Sequence, residues 1–455
     1  MGRDGFFPIR WMEESGVGNE SGLDEINTTG LAMDAPSSQP PIYILEDFRL
    51  EDLYPLTYTR PAALLRCGAE TLLDRMLRHL PRPPSGIIVR DTIKAKMRET
   101  LRIPVNPKID MTRSTVFINA RWLMTHPFEY PPVDTAGMTG EDFTWVHLSP
   151  AKLAELDLKR IVRSRILEKL ITTISAGLVD AVMIRYPWNL LGNQHDILLD
   201  DFQRRGAAKL SEPMPGAHLL KSENMYIGQD VQIMPGAVLD ARNGPIIIER
   251  GVQIRANSVI TGPVYIGPEC VIRTGADIRE DCAFGPGCRV GGEIIGSIFQ
   301  EYSNKQHDGF LGQTFVGSWA NLGAGTTTSN LKNTYGIVRV PISGKERITG
   351  LQFMGSVIGD HAKIGIGTML STGTVVGFAS HILTSRPPKF IPSFAWVTDA
   401  GIEHLDYEKS LEIARTVMER RKQKLTVADE EIFNRIFTSW SQSESHRWRE
   451  NATAQ

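Results

Sequence analysis

From Ile248 to Val290 a bulky apolar residue returns at every sixth position: Ile248, Ile254, Ile260, Ile266, Ile272, Ile278, Phe284 and Val290. Four residues after each of the first seven stands a small or slim one: Val252, Ser258, Val264, Cys270, Ala276, Cys282 and Cys288. An amphipathic helix repeats near 3.6 and a half-buried strand at 2, so neither carries a strict period of six. A coil with three short flat sides does, with one aliphatic pointing inward from each side and a small residue near each corner. The pattern predicts a hexapeptide parallel β-helix, whose rungs bury a continuous core only by stacking.

The chain has 455 residues and a net charge of -2, which suggests two or three domains and gives no basic footprint for nucleic acid or a membrane surface. No run of ~18 apolar residues predicts a membrane span. The opening MGRDGFFPIRW lacks the apolar centre of a secretory signal. Three of the four cysteines occupy inward small positions of the repeat, where a thiol behaves as a small hydrophobe, and no C-x-x-C spacing suggests a metal cluster. These observations make a cytoplasmic protein the expectation.

Residues 1–40, rich in Gly, Ser, Asn, Asp and Glu, read as a disordered extension. Residues 41–215 read as an α/β layer. Ile42–Leu45, Gly86–Val89 and Thr115–Asn119 are predicted strands, Thr71–Leu80 is a predicted helix, and Asp196–Phe202 is helix-like. A longer helix is predicted from Ala151 to about Ser175, opened by Ser149 and Pro150. The β-helix is expected over 223–380, starting near Tyr226. Its register breaks after Val290 and again from Asn330 to about Gly350; loops inserted in a rigid coil usually carry function. Residues 381–455 read as a proline-rich connector and a helical tail. Leu411, Ala414, Met418 and Leu425 lie on its apolar side, Arg420, Arg421, Lys422 and Lys424 on a solvated one, and it frays after about Trp440.

The stretch YSNKQHDGFLGQTFVGSWANLGAGTTTSNLKN, set in this coil, resembles the acetyltransferase half of the bifunctional GlmU family. The segment LYPLTYTRPAALLRCGAETLLDRML resembles the part of a sugar-phosphate nucleotidyltransferase that follows its glycine-rich loop. The likeness covers roughly residues 41–440 and is nearest to GlmU-like proteins with a shortened N-terminal domain. It implies a left-handed β-helix, a homotrimer with acyl-CoA bound between subunits, and synthesis of UDP-N-acetylglucosamine from glucosamine 1-phosphate, acetyl-CoA and UTP.

The acyl-transfer step needs a base that takes a proton from an ammonium group, and histidine suits it because its pKa lies near working pH. His307 stands before Asn321-Leu322-Gly323-Ala324-Gly325-Thr326 at the spacing of the family's catalytic histidine. The resemblance further implies that Asn321 lies near the amino group, Asn330 on the sugar, and Arg273 on the substrate phosphate. Ser356 and Thr372 fall where the family meets the acyl-CoA, Thr372 through its backbone. Asparagine also serves simply as a turn residue, so Asn321 and Asn330 have a purely structural alternative. The family's lysine after Arg273 has no counterpart near Gly291–Ile295, and Lys305 or Lys332 are candidate substitutes.

The front half departs further from the resemblance. A nucleotidyltransferase cradles phosphates in closely approaching backbone N–H groups. Here the loop after the first strand reads Glu46-Asp47-Phe48-Arg49-Leu50-Glu51-Asp52, with four acids and no glycine. Arg60, Arg66 and Arg121 are the candidate phosphate-binding cations, and Asn193 a candidate on the metal side; Mg²⁺ would serve nucleotidyl transfer, but no carboxylate spacing fixes its ligands. The resulting expectation is a sugar-nucleotide enzyme with acyltransferase and nucleotidyltransferase halves, whose partners are a sugar phosphate, acyl-CoA and a nucleoside triphosphate. Two alternatives stay open: a single-activity acyltransferase whose front domain only binds substrate, and a non-catalytic sugar-nucleotide-binding regulator.

Overall fold

The computed structural model describes residues 39–452, with side chains to Ser439. The expected disordered extension therefore lies outside the described residues except for Gln39 and Pro40. Ile42–Leu45 is buried at every position, as a strand covered on both faces must be. It pairs in parallel with Gly86–Ile88 and Thr115–Asn119. Asp142–Leu148, Thr135–Thr139 and Ser175–Leu178 complete a six-stranded sheet beyond Thr115–Asn119. Helices α1 (Leu72–His79) and α2 (Asp91–Thr100) follow the first two parallel strands, and Thr71 caps α1 in a reciprocal pair with Asp74.

The long helix expected from Ala151 is instead two short ones, α3 (Pro150–Ala154) and α4 (Ile166–Ile171). Ser149 caps α3 as expected, but Asp157 then takes the Lys159 N–H with its side chain and the Arg160 N–H with its carbonyl. Such local bonds compete with helix continuation. The far end, Ser175–Leu178, becomes an edge strand. Helix α5 (Pro187–Arg205) is longer than the Asp196–Phe202 stretch that suggested it.

The solenoid follows, with three parallel faces. The first face is a ten-stranded ladder from Ala208–Lys209 to Phe390–Ile391, so it begins a turn before Tyr226. The second face runs from His218–Leu220 to Phe310–Gly312 and resumes as Thr327–Thr328 and Met369–Leu370. The third runs from Gln232–Ile233 to Ala395–Thr398 and ends on an antiparallel strand, Gly401–His404. All eight period-six residues are fully buried in one lumen cluster. The corners explain the period: Gly251, Asn257, Glu269, Gly275, Asp281 and Gly287 have φ between +58° and +70°, and Pro263 stands at the one intervening corner, so the chain turns every six residues.

The register does not break at Val290. The rung shortens instead, and Glu293–Ile295, Ile298–Phe299 and Asn304–Lys305 continue the three ladders. The interruption after Asn330 is real and carries a hairpin, Arg339–Ile342 with Lys345–Ile348. Val338, Val340 and Ile342 pack it into the same cluster as Leu53 and Leu56 of the α/β domain.

The α/β domain lies on the first face, whose outward residues Ile298, Phe315, Val357 and Val375 are buried against it. Helix α6 (Tyr407–Glu419) runs by the third face, with the Lys409 ammonium over the Trp396 ring at 5.7 Å. Beyond its end Arg421 donates to the Gly287 carbonyl and to Asn304 Oδ1, so this arginine is not part of a solvated face. Helix α7 (Val427–Ala452) returns to the α/β domain, where Ile432, Phe433 and Ile436 join the cluster that includes Ile42 and Ile93. The chain is helical past Trp440, not frayed, and no helix among the described residues is long and apolar enough to cross a membrane.

Candidate functional site

His307 sits at the corner where the third face turns into the second, between Asn304–Lys305 and Phe310–Gly312. Its side chain is exposed. The next rung places Gly323-Ala324-Gly325-Thr326 directly against this corner, and the Gly325 N–H donates to the Asp308 carbonyl at 3.0 Å. A Cβ at Gly309, where φ is +118°, would lie 2.1 Å from the Thr326 carbonyl oxygen, so only glycine permits the two corners to stack. The rung before His307 has Gly291-Gly292 at this corner, and the rung before that has Arg273, also exposed. With rungs ~4.8 Å apart, Arg273 and His307 lie about 10 Å apart, with Gly291 and Gly292 on the rung between them. A basic side chain and an imidazole are thus both exposed along one corner of the solenoid.

The other expected residues are not gathered at that corner. Asn321 lies on the third face beside Asn304, half-buried. Asn330 is at the opposite corner of the second face, where its amide donates to Gln313 Oε1 at 2.5 Å. Thr372 is mostly buried at that same corner, under the Arg339–Ile348 hairpin that packs on its neighbour Gly373. Ser356 is fully buried and its hydroxyl finds no hydrogen-bond partner among the described residues. The substitutes for the missing lysine are committed as well. Lys305 is fully buried, and Lys332 donates to the Ile337 carbonyl at 2.7 Å.

In the α/β domain the four expected polar residues are all engaged in internal contacts. The Arg121 guanidinium is 1% exposed, donates to both Asp47 oxygens and lies 2.7 Å from Asp142 Oδ1. Burial pushes the Asp47 carboxyl up, yet Arg121 holds it below its ordinary value. Two of the four acids of the loop after the first strand are therefore paired internally, Asp47 with Arg121 and Glu46 with Arg90. Arg60 reaches Asp360 Oδ2 and Ser318 Oγ, each at 2.7 Å, and ties the domain to the solenoid. Arg66 donates to the Ala69 carbonyl at 2.6 Å and lies over the Tyr265 ring. Asn193 donates to the Asn189 carbonyl within α5. Asp47, Asp142 and Asn119 surround a guanidinium, not an open position, so these residues do not fit Mg²⁺. Among the described residues no cluster of three His, Cys, Asp or Glu could hold a metal ion.

What the sequence did not reveal is a cavity of about 400 Å³ outside the carboxyl ends of Ile42–Leu45 and Gly86–Ile88. Ligands of open α/β sheets bind in such crevices. Phe48, Tyr54 and Tyr58 line it from the first loop, Arg163 from the segment before α4, and Arg435 and Ile436 from α7. Tyr54 and Tyr58 stack at 4.1 Å, and neither Arg163 nor Arg435 forms an ion pair among the described residues. Arg435 lies in the C-terminal tail, and no local motif ties it to a strand end nearly four hundred residues earlier in the chain; only the apolar spacing of Ile432, Phe433 and Ile436 signalled that this helix packs on something.

Residues 42–208 match the model of the sugar nucleotidyl transferase family. The chain is 27% identical over 234 residues to the bifunctional protein GlmU of Bartonella quintana, covering 49% of this chain and 47% of that protein. It is 37% identical over 145 residues to the bifunctional protein GlmU of Methanococcus vannielii, covering 30% and 34%. A bifunctional sugar-1-phosphate nucleotidylyltransferase/acetyltransferase of Sulfurisphaera tokodaii is 30% identical over 145 residues, covering 30% and 35%. These matches span half of the relatives' length or less. Over at most about half of its length the chain is similar to GlmU proteins, and its front domain matches the sugar nucleotidyl transferases.

Proposed function

We propose that this chain is an enzyme of sugar-nucleotide biosynthesis that transfers an acetyl or other acyl group from acyl-CoA to the amine of an amino-sugar 1-phosphate. The observation that carries the reading is the corner stack itself: His307 beside Gly323–Thr326, with the exposed Arg273 two rungs away along the same corner. Arg273 matches a phosphate with its guanidinium fork. His307, as the neutral imidazole, takes a proton from the substrate ammonium; the freed amine attacks the thioester carbonyl, the C–S bond breaks as the tetrahedral adduct collapses, and the remaining nitrogen proton passes to the departing sulfur, giving the amide and CoA thiol. Asn321 serves the acceptor amine, and Asn330 and Thr372 serve the sugar and the acyl-CoA from the far corner.

Those two corners border the second face, the one the α/β domain and α6 leave uncovered. Val259 and Met369 on that face, and Ile366 at the corner beside Gly323–Thr326, are exposed apolar residues, Ile366 at 80%. This supports a homotrimer in which His307 of one subunit meets the Asn330 corner of the next. In the front domain the cavity beside Tyr54 and Arg435 takes the nucleotide. UTP is the co-substrate, and the product is UDP-N-acetylglucosamine or a related nucleotide sugar. The internal pairing of Asp47, Arg121 and Asp142 favours a second reading, in which the front domain binds the nucleotide sugar without making it. Exchange of labelled pyrophosphate into UTP with a sugar phosphate present separates the two.

The decisive test of the first reading is release of CoA thiol from acetyl-CoA with glucosamine 1-phosphate. His307→Ala is expected to lower the rate by roughly 10²–10⁴. An unchanged rate would remove His307 from the mechanism.

A further inference from the structure

At the inward position of the third face the solenoid places aliphatics rung after rung, among them Ile254, Ile272, Val290, Leu322, Ile364 and Ile382, all within the lumen cluster. One rung breaks the column. Lys305 occupies the register position opposite Val290 and is fully buried. An ammonium in such a lumen is costly unless hydrogen-bonded, and any aliphatic of similar size would stabilise the coil more. The exception falls on the rung that carries His307.

The ammonium turns back under the corner. Lys305 Nζ donates to the His307 carbonyl and, at 2.8 Å, to the Asp308 carbonyl. The Asp308 carbonyl in turn accepts the Gly325 N–H of the next rung. On the preceding rung Gly292 leaves the space this arrangement needs: a Cβ there would lie 2.8 Å from the His307 carbonyl oxygen and 3.2 Å from Lys305 Nζ. Burial lowers the Lys305 pKa to about 8, opposed by Asp308, so the group remains mainly charged at neutral pH.

We infer that Lys305 is a positioning residue for His307: it anchors from within the lumen the two carbonyls that set the direction of the His307 corner. It touches neither substrate nor cofactor. The inference rests on the acyl-transfer reading for its functional meaning, but its structural core can be tested without it.

The experiment compares wild type, Lys305→Met, His307→Ala and the double variant in the full chain. Met keeps the length of the stem and removes every donor. Lys305→Met is expected to melt no lower than wild type, since it restores the apolar column, while kcat for acyl transfer falls roughly 10–10²-fold, the scale of a small misplacement of a reacting group. KM for acetyl-CoA should stay within about twofold, and the double variant should be no slower than His307→Ala, because both changes act through one imidazole. The His307 ring resonance, assigned by its loss in His307→Ala, should shift or broaden in Lys305→Met. An unchanged resonance, or a wild-type kcat in Lys305→Met, would overturn the inference while leaving the His307 assignment standing. If wild type transfers no acyl group, the proposed function fails and the resonance alone decides the role of Lys305. Should the Met variant not fold, Lys305→Gln carries the same comparison with a shorter donor.

Discussion

Replacing Arg121 with methionine tests whether the ends of the central strands are closed from within. The substitution removes both bonds to Asp47, the contact with Asp142 and the 3.3 Å bond to the Ile184 carbonyl. Asp47 keeps the Asn119 amide at 3.0 Å and the Arg49 N–H, and Asp142 keeps Arg49 Nε at 2.9 Å. Removing one partner of a buried ion pair costs ~3–5 kcal/mol. Because Asp142 retains a guanidinium, the loss belongs at the low end, about 3 kcal/mol. Its pH dependence follows from Asp47. In the wild type the depressed carboxyl contributes stability above the unfolded value of about 3.9 and loses it in acid. Without Arg121, burial dominates and the folded pKa rises, so the folded variant takes up a proton before the unfolded chain does. The deficit is therefore largest at neutral pH and shrinks as pH falls toward the unfolded value. Hydrogen exchange of the Thr115–Leu123 segment at pH 7 and pH 5 reads both effects, and Asp47→Asn in the same background should recover part of the loss. A deficit under ~1 kcal/mol that does not vary with pH, together with a tenfold loss of UTP affinity, would refute the reasoning and return Arg121 to a phosphate-binding role.

Two further outcomes follow from buried groups elsewhere. Arg60→Ala strips Asp360 of its guanidinium at the boundary of the two domains, and a loss of ~3–5 kcal/mol is expected, with thermal melting splitting into two transitions; one unshifted transition would contradict the clamp. His381 is lowered to about 4 by burial and by the nearby Lys363 and Lys409, so between about pH 6.5 and 4 the unfolded chain binds a proton that the folded one refuses. Stability should fall across that window, and His381→Gln should flatten the fall in urea titrations; an unchanged slope would mean that the imidazole reaches water.

The solenoid was legible because its physical cause is periodic. One inward residue and one corner per six positions leave a mark no helix or strand imitates. The shortened rung after Val290 hid itself for the same reason: the six-residue count slips although the ladder continues. Lys305 was unreadable as a lumen residue, since a lysine out of register looks like surface. The first strand and α1 followed from apolar runs, whereas Ala151–Ser175 misled because helical spacing is indifferent to the local bonds Asp157 makes. His307 and Gly323–Thr326 were singled out by resemblance to a family motif, but that Arg60 and Arg121 are already paired depends on Asp360, Asp47 and Asp142, brought to them only by tertiary structure. The docking face did leave a signal: Ile247, Phe315, Val357 and Val375 are apolar where an outward residue of a free solenoid would be polar.

The same face explains why the two halves act as one body. The α/β domain covers an apolar strip of the solenoid, Arg60 and Thr59 converge on Asp360, and the hairpin after Asn330 meets the first loop, where Ser343 Oγ donates to the Glu51 carbonyl at 2.8 Å. Helix α7 closes the circuit: it leaves the solenoid after α6, pairs Asp429 with Lys96 of α2 at 2.8 Å, and lines the front cavity with Arg435. Separating the halves would expose the apolar strip of Phe315, Val357 and Val375 to water and break the Arg60–Asp360 pair, a cost that holds them together. The long return of α7 from the solenoid to the front cavity is thus built into the fold, and the helix that lines Tyr54 and Arg163 is braced against the solenoid, where Phe433 packs on Phe378 and Phe394.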